Sequence, residues 1–184
     1  MISNYFPSAQ EEVIRIADQT MGVGYFTEQE IQSLLGQNCI ALVDSENDAI
    51  RGFCFAFILS PEELKNQHNI SIDSPGIENQ RQIGLLKTIA TDPTHRKKGV
   101  ASGLIQKLIQ NLEEKEIRVI ICPAWKTGNE INLGGLLLKN NFHPVKEIPD
   151  YWFEDSLLKK YPCPECGQPP CRCKAIIFQR VKKD

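Results

Sequence analysis

Hydrophobic residues follow two different patterns along this chain. Three runs of strand length are almost continuously apolar, at residues 50–59, 85–91 and 117–122, and a strand of this kind is usually covered on both faces. Around them lie longer segments in which apolar residues recur every three or four positions, which is typical of amphipathic helices. The pattern predicts an α/β (α+β) fold with a mixed, partly parallel central sheet and helices on both faces.

The first third of the chain predicts two helices and three strands. Ser8 is expected to cap one helix, and Thr27 with Glu30 has the spacing of a capping box at the start of a second. We expect Leu35 to point inward at the end of that second helix. A turn at residues 45–48 would join the last two strands as a hairpin. The strands are predicted at residues 1–6, 39–43 and 50–59.

Residues 60–81 are polar and contain Pro61, Pro75 and Gly76, a composition typical of a loop. Long loops in compact domains often form a wall or a lid of a binding site. The same composition suits a mobile insertion without a function, and the sequence favours neither interpretation.

One stretch combines a strand, a basic loop and a helix. The apolar run 85–91 ends at Asp92, a basic loop with Gly99 follows, and apolar residues at helical spacing continue to Leu112. The first amides of a helix have no intrahelical partner and carry partial positive charge, so such a junction binds negatively charged oxygen. The loop of residues 96–101 therefore predicts a phosphate or pyrophosphate site.

The remaining elements continue the alternation of strands and helices. The run 117–122, which we expect Pro123 to end, completes a strand–helix–strand crossover, so the sheet is parallel there. Asn129 is expected to cap a helix over residues 130–139. Further elements are predicted as a strand at 142–148, a short amphipathic turn at 151–161 and a last strand at 175–181.

Composition limits the class of protein. The 184 residues are 41% hydrophobic and 24% charged, ordinary values for a globular protein, and we expect one domain spanning residues 1–184. The formal net charge of -2 gives no general attraction to nucleic acid or to an anionic membrane, so neither is expected as a partner. No apolar stretch approaches the ~20 residues that span a bilayer, and no secretion signal is recognised. A cytoplasmic location is the expectation.

Three segments together carry a family resemblance. Residues 96–101 read R-K-K-G-V-A between a strand and a helix, residues 89–93 read I-A-T-D-P, and residues 136–142 read L-L-L-K-N-N-F before Pro144-Val145. They resemble the Arg/Gln-x-x-Gly-x-Gly/Ala loop, its preceding strand and turn, and the later helix-to-strand junction of the GNAT superfamily of acyl-CoA N-acyltransferases. The chain is similar to this family from Met1 to about Trp152.

The resemblance implies a GNAT-like fold, acetyl-CoA as cosubstrate and a set of coenzyme contacts. In such proteins the loop amides hold the pyrophosphate of coenzyme A, and the free backbone of the strand pairs with the pantetheine arm. A residue at the start of the later helix would add a contact. The implied coenzyme-binding residues are Ile89, Ala90, Thr91, Arg96, Lys97, Lys98, Gly99, Val100, Ala101 and Asn129.

The implied reaction is attack by a neutral amine on a thioester carbonyl. It needs an acceptor for the amine proton, a donor for the developing oxyanion and a donor for the departing thiolate. The resemblance points to a backbone N–H near Thr91 for the oxyanion. For the thiolate, many relatives carry a Tyr where this chain has Leu137, and leucine has no proton to donate. We take Tyr151 as the candidate catalytic acid, with water or one of three other residues as alternatives: His143, Cys122 and Tyr25.

Four cysteines crowd one segment as Cys-x-x-Cys-Gly followed by Cys-x-Cys. The first half is like a zinc knuckle, in which the glycine permits a tight turn around a tetrahedral ion, whereas the second half is less usual. Disulfides are disfavoured in a cytosolic protein, so structural zinc is the first interpretation, and free or redox-active thiols are the alternatives. The candidate ligands, in a loop over residues 161–174, are Cys163, Cys166, Cys171 and Cys173.

Together these features predict an N-acetyltransferase that transfers an acetyl group from acetyl-CoA to a primary amine of a small molecule or a protein. The sequence identifies neither the amine nor the oligomeric state. The alternative is a catalytically degenerate coenzyme A-binding module whose cysteine segment binds a partner, and Leu137 is the feature that favours it.

Overall fold

The structure is a computed structural model that describes residues 1–36, 38–71, 77 and 80–182. Within these residues, helices alternate with strands as predicted. The strands are β1 (Ile2–Asn4), β2 (Cys39–Glu46), β3 (Ala49–Leu59), β4 (Ile83–Thr91), β5 (Val119–Thr127), β6 (Glu130–Ile131), β7 (His143–Ile148) and β8 (Lys174–Val181). The helices are α1 (Gln10–Met21), α2 (Glu28–Leu34), α3 (Pro61–His68), α4 (Val100–Glu114), α5 (Gly134–Lys139) and α6 (Phe153–Lys159).

The described strands form one mixed sheet. Their order is β1-β2-β3-β4-β5-β8-β7, and the short β6 pairs with β5 beside this path. Strands β4 and β5 are parallel and α4 connects them, whereas the other neighbours are antiparallel. The predicted mixed sheet and its parallel crossover are confirmed.

Helices cover both faces of the sheet. Leu104 of α4 and Leu137 of α5 pack on the face of β3 that carries Cys54. Helices α1 and α2 pack on the opposite face, against Phe53 and Phe55. Both faces of β3 are therefore apolar because both are covered.

Short-range signals in the sequence explain several element boundaries. Thr27 and Glu30 form the predicted capping box, in which the Glu30 carboxylate accepts from the Thr27 N–H at 2.7 Å. The hairpin turn consists of Asn47 and Asp48, whose φ angles of 50° and 64° are positive. It is tighter than predicted because strand pairing continues as far as Glu46↔Ala49, and Asn and Asp tolerate positive φ.

Two details of the N-terminal helices were predicted wrongly. Ser8 lies inside a short 3-10 helix, Pro7–Ala9, and α1 follows it without a side-chain cap, because the fixed φ of Pro7 already begins the turn. Leu35 is 40% exposed. Helix α2 ends one residue earlier, and its buried residue is Ile31, so Leu35 lies past the face that meets the core.

The segment predicted as a long loop contains a helix, α3. It begins with a second capping box, in which the Ser60 Oγ accepts from the Glu63 N–H at 3.1 Å and the Glu63 carboxylate accepts from the Ser60 N–H at 2.7 Å. Pro61 at the first helical position is a further start signal. The sequence therefore contained the evidence for this helix. The predicted lid or wall also includes residues 72–76 and 78–79, which lie outside the described residues.

Two predictions between β5 and α5 are also wrong. Pro123 does not end its strand, because β5 has lost its β4 neighbour by that point and a proline is tolerated on an unpaired strand edge. Asn129 does not cap a helix. It lies with Gly128 in the turn closed by the pair Thr127↔Glu130, as Gly-Asn often does in hairpins, and α5 starts only after Leu133.

The C-terminal elements follow the prediction closely. Strands β7 and β8 and helix α6 occupy the expected segments, and Asn141 adopts the positive φ of 62° that separates α5 from β7. Within the described residues, no helix combines the length and the apolar character needed to cross a membrane.

Candidate active site

Strands β4 and β5 separate after a short paired stretch, and a cleft opens between them. They pair only at Gly84↔Ile120 and Leu85↔Ile121, although β4 continues to Thr91 and β5 to Thr127. The cleft has a volume of about 680 Å³ and is lined by both strands. Because β4 lacks a partner on this side, its backbone groups there are available to a ligand.

A bulge in β4 lies where the two strands separate. Thr88 pairs with Phe55 and Leu86 pairs with Ala56, so Lys87 is an extra residue without a partner in β3. Such a bulge bends a strand and redirects its side chains. Lys87 and Thr88 both line the cleft.

One end of the cleft is the start of α4, which we call the coenzyme end (residues 95–102). Gly99 is the N-cap residue with φ of 84°, and no side chain caps the helix, so the first amides have no protein partner from a cap. A Cβ added to Gly99 would meet no heavy atom within 4 Å, which leaves open space beside the loop. Arg96 and Lys97 add positive charge to the helix dipole in this lining. The arrangement suits a pyrophosphate.

Asp92 fixes the coenzyme end to helix α1. Its carboxylate accepts from the Thr94 N–H at 2.8 Å and from the Thr94 hydroxyl at 2.5 Å, and it pairs with the Arg15 guanidinium at 2.6 Å. The Thr94 hydroxyl and Arg15 together hold the pKa of Asp92 well below its ordinary value. The Asp92 N–H also donates to the Arg51 carbonyl at 2.8 Å. Charged and hydrogen-bonded contacts thus set the position of the loop.

The opposite end of the cleft, which we call the acceptor end, is lined by side chains that are distant in the sequence. They are Tyr25, Trp152, Tyr161, Cys163, Pro164 and Cys171. The rings of Tyr25 and Tyr161 meet edge to face with centroids 5.0 Å apart. Burial raises the pKa of both phenols, so both remain protonated at neutral pH. The Tyr161 hydroxyl donates to Asp155 at 2.9 Å.

A charged network lies behind this aromatic wall. The Lys159 ammonium is 3.3 Å from the Asp155 carboxylate and 3.6 Å from that of Glu30. It also lies 4.8 Å from the centroid of the Tyr25 ring. The two carboxylates are therefore engaged with Lys159.

Eight of the ten predicted coenzyme-binding residues line the cleft. Lys98 and Asn129 are not part of the lining, so a coenzyme contact by either stays a prediction. Asn132 and Leu133, a few residues after Asn129, do line it. The eight residues are Ile89, Ala90, Thr91, Arg96, Lys97, Gly99, Val100 and Ala101.

The candidate acids are spread over different environments. Leu137 is completely buried in the core beneath α4 and supplies no proton. Cys122 and Tyr25 line the cleft, but burial raises the pKa of the Cys122 thiol to about 12. Tyr151 and His143 do not line it. Tyr151 packs edge to face against a neighbouring tryptophan, and His143 is exposed on β7.

The four cysteine thiols converge beside the acceptor end. All four Sγ atoms lie within 4.8 Å of one another. Cys173 is 3.2 Å from Cys166 and 3.8 Å from Cys163, and Cys166 is 4.0 Å from Cys171. Four sulfur ligands at ~2.3 Å from a tetrahedral zinc ion are about 3.8 Å apart. The spacing of these residues fits such an ion.

The backbone around the first two cysteines supports the same interpretation. Cys163 and Gly167 exchange two hydrogen bonds of 2.8 and 2.9 Å, and Gly167 has φ of 81°. The Cys166 N–H points at the Cys163 sulfur and the Arg172 N–H at the Cys166 sulfur, both at 3.4 Å. Against the effect of burial, the Arg172 N–H and the neighbouring thiols lower the pKa of Cys166, which favours the thiolate that binds metal.

Two contacts tie the cysteine cluster to the rest of the fold. The Cys171 N–H donates to the Ser156 hydroxyl of α6 at 2.8 Å, and the Tyr151 N–H donates to the Cys173 carbonyl at 3.2 Å. Cys163 and Cys171 also line the cleft. The cluster is therefore part of the wall of the acceptor end.

Sequence reasoning did not identify several lining residues. Lys87 carried a visible signal, because it is a charged residue in an otherwise apolar strand. Tyr161 and Trp152 carried none, because their positions beside β4 depend on the path of the chain between β7 and β8.

Comparisons with known proteins agree with this geometry. The sequence profile of the Acetyltransferase (GNAT) family matches residues 10–134. A comparison with curated proteins gives no match.

Solved structures resemble the fold over almost its full length. Ribosomal-protein-S18-alanine N-acetyltransferase from Escherichia coli is 17% identical with a TM-score of 0.68, covering 100% of this chain and 95% of that one. NAA60 from Arabidopsis thaliana in complex with acetyl-CoA is 16% identical with a TM-score of 0.71, covering 98% and 97%. An N-acetyltransferase from Staphylococcus aureus Mu50 is 16% identical with a TM-score of 0.65, covering 100% and 98%. At these identities the likeness establishes the fold.

The matched profile covers more than half of the chain and includes the strand, the loop and the helix that form the coenzyme end. The chain belongs to the GNAT family of acetyltransferases.

Proposed function

We propose that the protein is an acetyl-CoA-dependent N-acetyltransferase. The observation that carries the proposal is the continuity of the cleft, which runs from the uncapped start of α4 along the unpaired edge of β4 to an aromatic wall. Coenzyme A would place its pyrophosphate on residues 96–101 and its pantetheine arm along Ile89–Thr91. The acetyl group would then lie near the bulge at Lys87.

The proposed chemistry is direct transfer. The amine nitrogen attacks the thioester carbonyl, the carbon–sulfur bond breaks, and the amine proton passes to water. The oxyanion needs a fixed donor, and we propose a backbone N–H on the unpaired edge of β4, between Thr91 and the bulge. Both the strand and its bulge are held by pairing with β3.

Loss of the tyrosine that many relatives carry does not exclude this reaction. A thiol has a pKa of about 8.5, so a thiolate is a weak base and leaves without full protonation. Leu137 is buried and supplies no proton. Water in the open cleft would protonate the departing sulfur, with Tyr151 remaining a sequence-based candidate whose hydroxyl is outside the lining.

The amine is proposed to enter from the acceptor end, between Tyr25 and the cysteine cluster. The Escherichia coli relative is named for an alanine of a ribosomal protein, and the acceptor here is a small molecule or a protein with a primary amine. This end is separate from the coenzyme end, so both substrates fit the cleft at once.

Zinc is proposed as a structural ion in the cysteine cluster. The ligands would be Cys163, Cys166, Cys171 and Cys173, whose sulfur spacing and backbone hydrogen bonds fit a tetrahedral thiolate site. Four protein ligands leave no open position, so the ion would hold the wall of the acceptor end and take no part in acetyl transfer. Elemental analysis of protein purified without chelator tests this, and a zinc content well below one per chain would contradict it.

The alternative function is a coenzyme-binding module without turnover, favoured by the buried Leu137. One experiment separates the two. Acetyl-CoA binding is measured by calorimetry, and release of free coenzyme A is measured with a panel of primary amines. Amine-dependent release supports the enzyme, whereas tight binding without release on any amine would favour the module.

A further inference from the structure

Lys87 is a charged residue at the centre of the cleft that the acetyl-transfer chemistry does not use. It is the extra residue of the β4 bulge, at the point where β4 and β5 separate. The two residues before it in β4, Leu85 and Leu86, are buried and apolar. An ammonium group at such a position costs free energy unless it has a partner. The stability of the strand therefore does not explain why a lysine occupies this position.

The other cations of the cleft lie at the coenzyme end. Among the described residues, the lining contains Arg96 and Lys97 at that end, Lys87 at the bulge, and no aspartate or glutamate at all. A site for a polyamine, or for a second ammonium group on the acceptor, would need a carboxylate in the lining. The charged side chains that line this cleft are positive instead.

Lys87 has no charged partner within the part of the chain that the structure describes. No carboxylate oxygen of a described residue lies within 4.0 Å of the Lys87 ammonium, and no described residue accepts a hydrogen bond from it. Asp155 and Glu30 act on it from a distance, but Asp155 accepts from the Tyr161 hydroxyl and both carboxylates face Lys159.

The histidine near Lys87 is neutral. His68 stacks on the Phe57 ring with centroids 6.4 Å apart, and burial together with the Lys87 charge lowers the pKa of His68 to about 4. Burial also lowers the pKa of Lys87 itself. The histidine therefore contributes no competing charge at neutral pH.

Thr88 supplies a second polar group beside Lys87. Its side chain is 3% exposed and lines the cleft. Its hydroxyl makes no hydrogen bond of standard geometry, although the Tyr25 hydroxyl lies near enough to interact with it. Buried hydroxyl groups are normally satisfied. An ammonium and a hydroxyl on adjacent bulge residues form a receptor for a negatively charged oxygen, since both can donate to it.

We propose that the acceptor is an amine that also carries a carboxylate, and that Lys87 and Thr88 bind that carboxylate. The inference rests on the proposed acetyltransferase function and narrows its substrate class. Two sources supply this chemistry: a small amino acid-like molecule, or a peptide whose first residue is acidic. Polyamines and neutral amines lack the group that Lys87 would bind.

The experiment compares matched acceptors that differ only in the carboxylate. The small-molecule arm pairs glycine with glycinamide and β-alanine with β-alaninamide. The peptide arm pairs C-terminally amidated tetrapeptides that begin with Asp or with Asn. Spermidine is the polyamine probe. Release of coenzyme A gives kcat/KM for each, and we expect at least about tenfold preference for the carboxylate member in one arm. The arm that shows it identifies the source.

The variant Lys87→Gln tests the residue itself. It should lower kcat/KM for the preferred carboxylate about tenfold through KM, and change the matched amide less than about twofold. Lys87→Arg should recover part of the preference. Lys107→Gln on α4, where the ammonium donates to Gln110 at 3.1 Å and lies outside the cleft lining, is the control and should behave as wild type. Unchanged acetyl-CoA affinity in calorimetry shows that Lys87→Gln is folded.

Three results would overturn the proposal. One is equal acetylation of carboxylates, amides and spermidine. Another is a carboxylate preference that survives in Lys87→Gln. The third is an equal loss of kcat on every amine in that variant, which would place Lys87 in the chemistry. If no amine is acetylated, the enzymatic proposal fails separately. Calorimetry then decides the carboxylate proposal: the same probes are titrated into the complex with coenzyme A, and the carboxylates should bind wild type and not Lys87→Gln.

Discussion

The coenzyme end and the acceptor end belong to one cleft but are constructed differently. The coenzyme end lies within one short segment, residues 95–102, at a strand-to-helix junction, and its backbone amides and helix dipole suit a negatively charged ligand. The acceptor end draws side chains from the connection between α1 and α2, from the two segments that flank α6, and from the cysteine segment. The first depends on local sequence, whereas the second depends on tertiary contacts, so the two should respond to different perturbations.

Perturbing the cysteine cluster should separate the two ends most strongly, because it should change activity far more than acetyl-CoA affinity. Cys171→Ser, or a chelator that removes the zinc proposed for this cluster, should release the segment that lines the acceptor end, and a misplacement of about 1 Å lowers activity about hundredfold. Acetyl-CoA affinity should fall less than about threefold, because the start of α4 does not touch the cluster. Amine-dependent coenzyme A release and calorimetry measure the two quantities.

Cys39→Ser is the matched control, since Cys39 lies on β2 outside the cluster and outside the cleft lining. It should retain activity. If Cys171→Ser lost acetyl-CoA affinity as strongly as activity, the two ends would not be independent.

Gly99→Val should act on the coenzyme end alone. A β-branched residue at φ of 84° is strained by about 1–2 kcal/mol, and its side chain would occupy the open space where the pyrophosphate is expected. We expect acetyl-CoA affinity to fall at least about tenfold, measured by calorimetry. Gly135→Val in α5, where a Cβ also meets no heavy atom within 4 Å and φ is not positive, is the control. Equal affinity for wild type and Gly99→Val would contradict the assignment of the loop.

Asp92→Asn tests how the coenzyme end is held. Loss of the Arg15 pair and of the charged cap on Thr94 should lower the free energy of unfolding by about 2 kcal/mol at neutral pH. The pKa of Asp92 in the folded protein is below its unfolded value of about 3.9. Its stabilisation is therefore complete above about pH 5 and is lost as the pH falls.

The expected signature is pH-dependent. Urea unfolding at several pH values should show the difference between wild type and Asp92→Asn shrinking as the pH drops from 5 toward 2. Asp48→Asn, on the exposed hairpin turn where Asn suits the positive φ, should show almost no difference at any pH. A gap between wild type and Asp92→Asn that stayed constant over this range would mean that the Asp92 charge does not stabilise the fold.

The contrast between the two ends also explains which parts of the structure could be predicted from the sequence. The parallel crossover, the loop 96–101 and its strand were predictable because short-range periodicity and a helix start determine them. Helix α3 was missed although Ser60, Pro61 and Glu63 signalled it, because the polar composition of the segment was given more weight than its cap.

The acceptor end could not be predicted from pattern alone. The bulge at Lys87 depends on the register between β3 and β4, which periodicity does not specify. Tyr161 reaches the cleft where its ring meets that of Tyr25, a residue far away in the sequence. The convergence of the four thiols was predictable from their spacing, but their position in the wall of the cleft was not.

Tyr151→Phe has the smallest expected effect and tests a residue that the sequence suggested as the acid. The hydroxyl lies outside the cleft lining, and burial raises the pKa of the phenol, so water remains the more accessible proton source for the thiolate. We expect kcat to fall less than about threefold with an unchanged pH profile, since a true general acid contributes ~100-fold or more. Tyr161→Phe, which removes the hydroxyl bonded to Asp155 in the lining, is the comparison and should raise the KM for the amine more than Tyr151→Phe does. A hundredfold loss of kcat in Tyr151→Phe would instead restore the tyrosine to the chemistry and would mean that the turn before α6 moves toward the sulfur when the substrates bind.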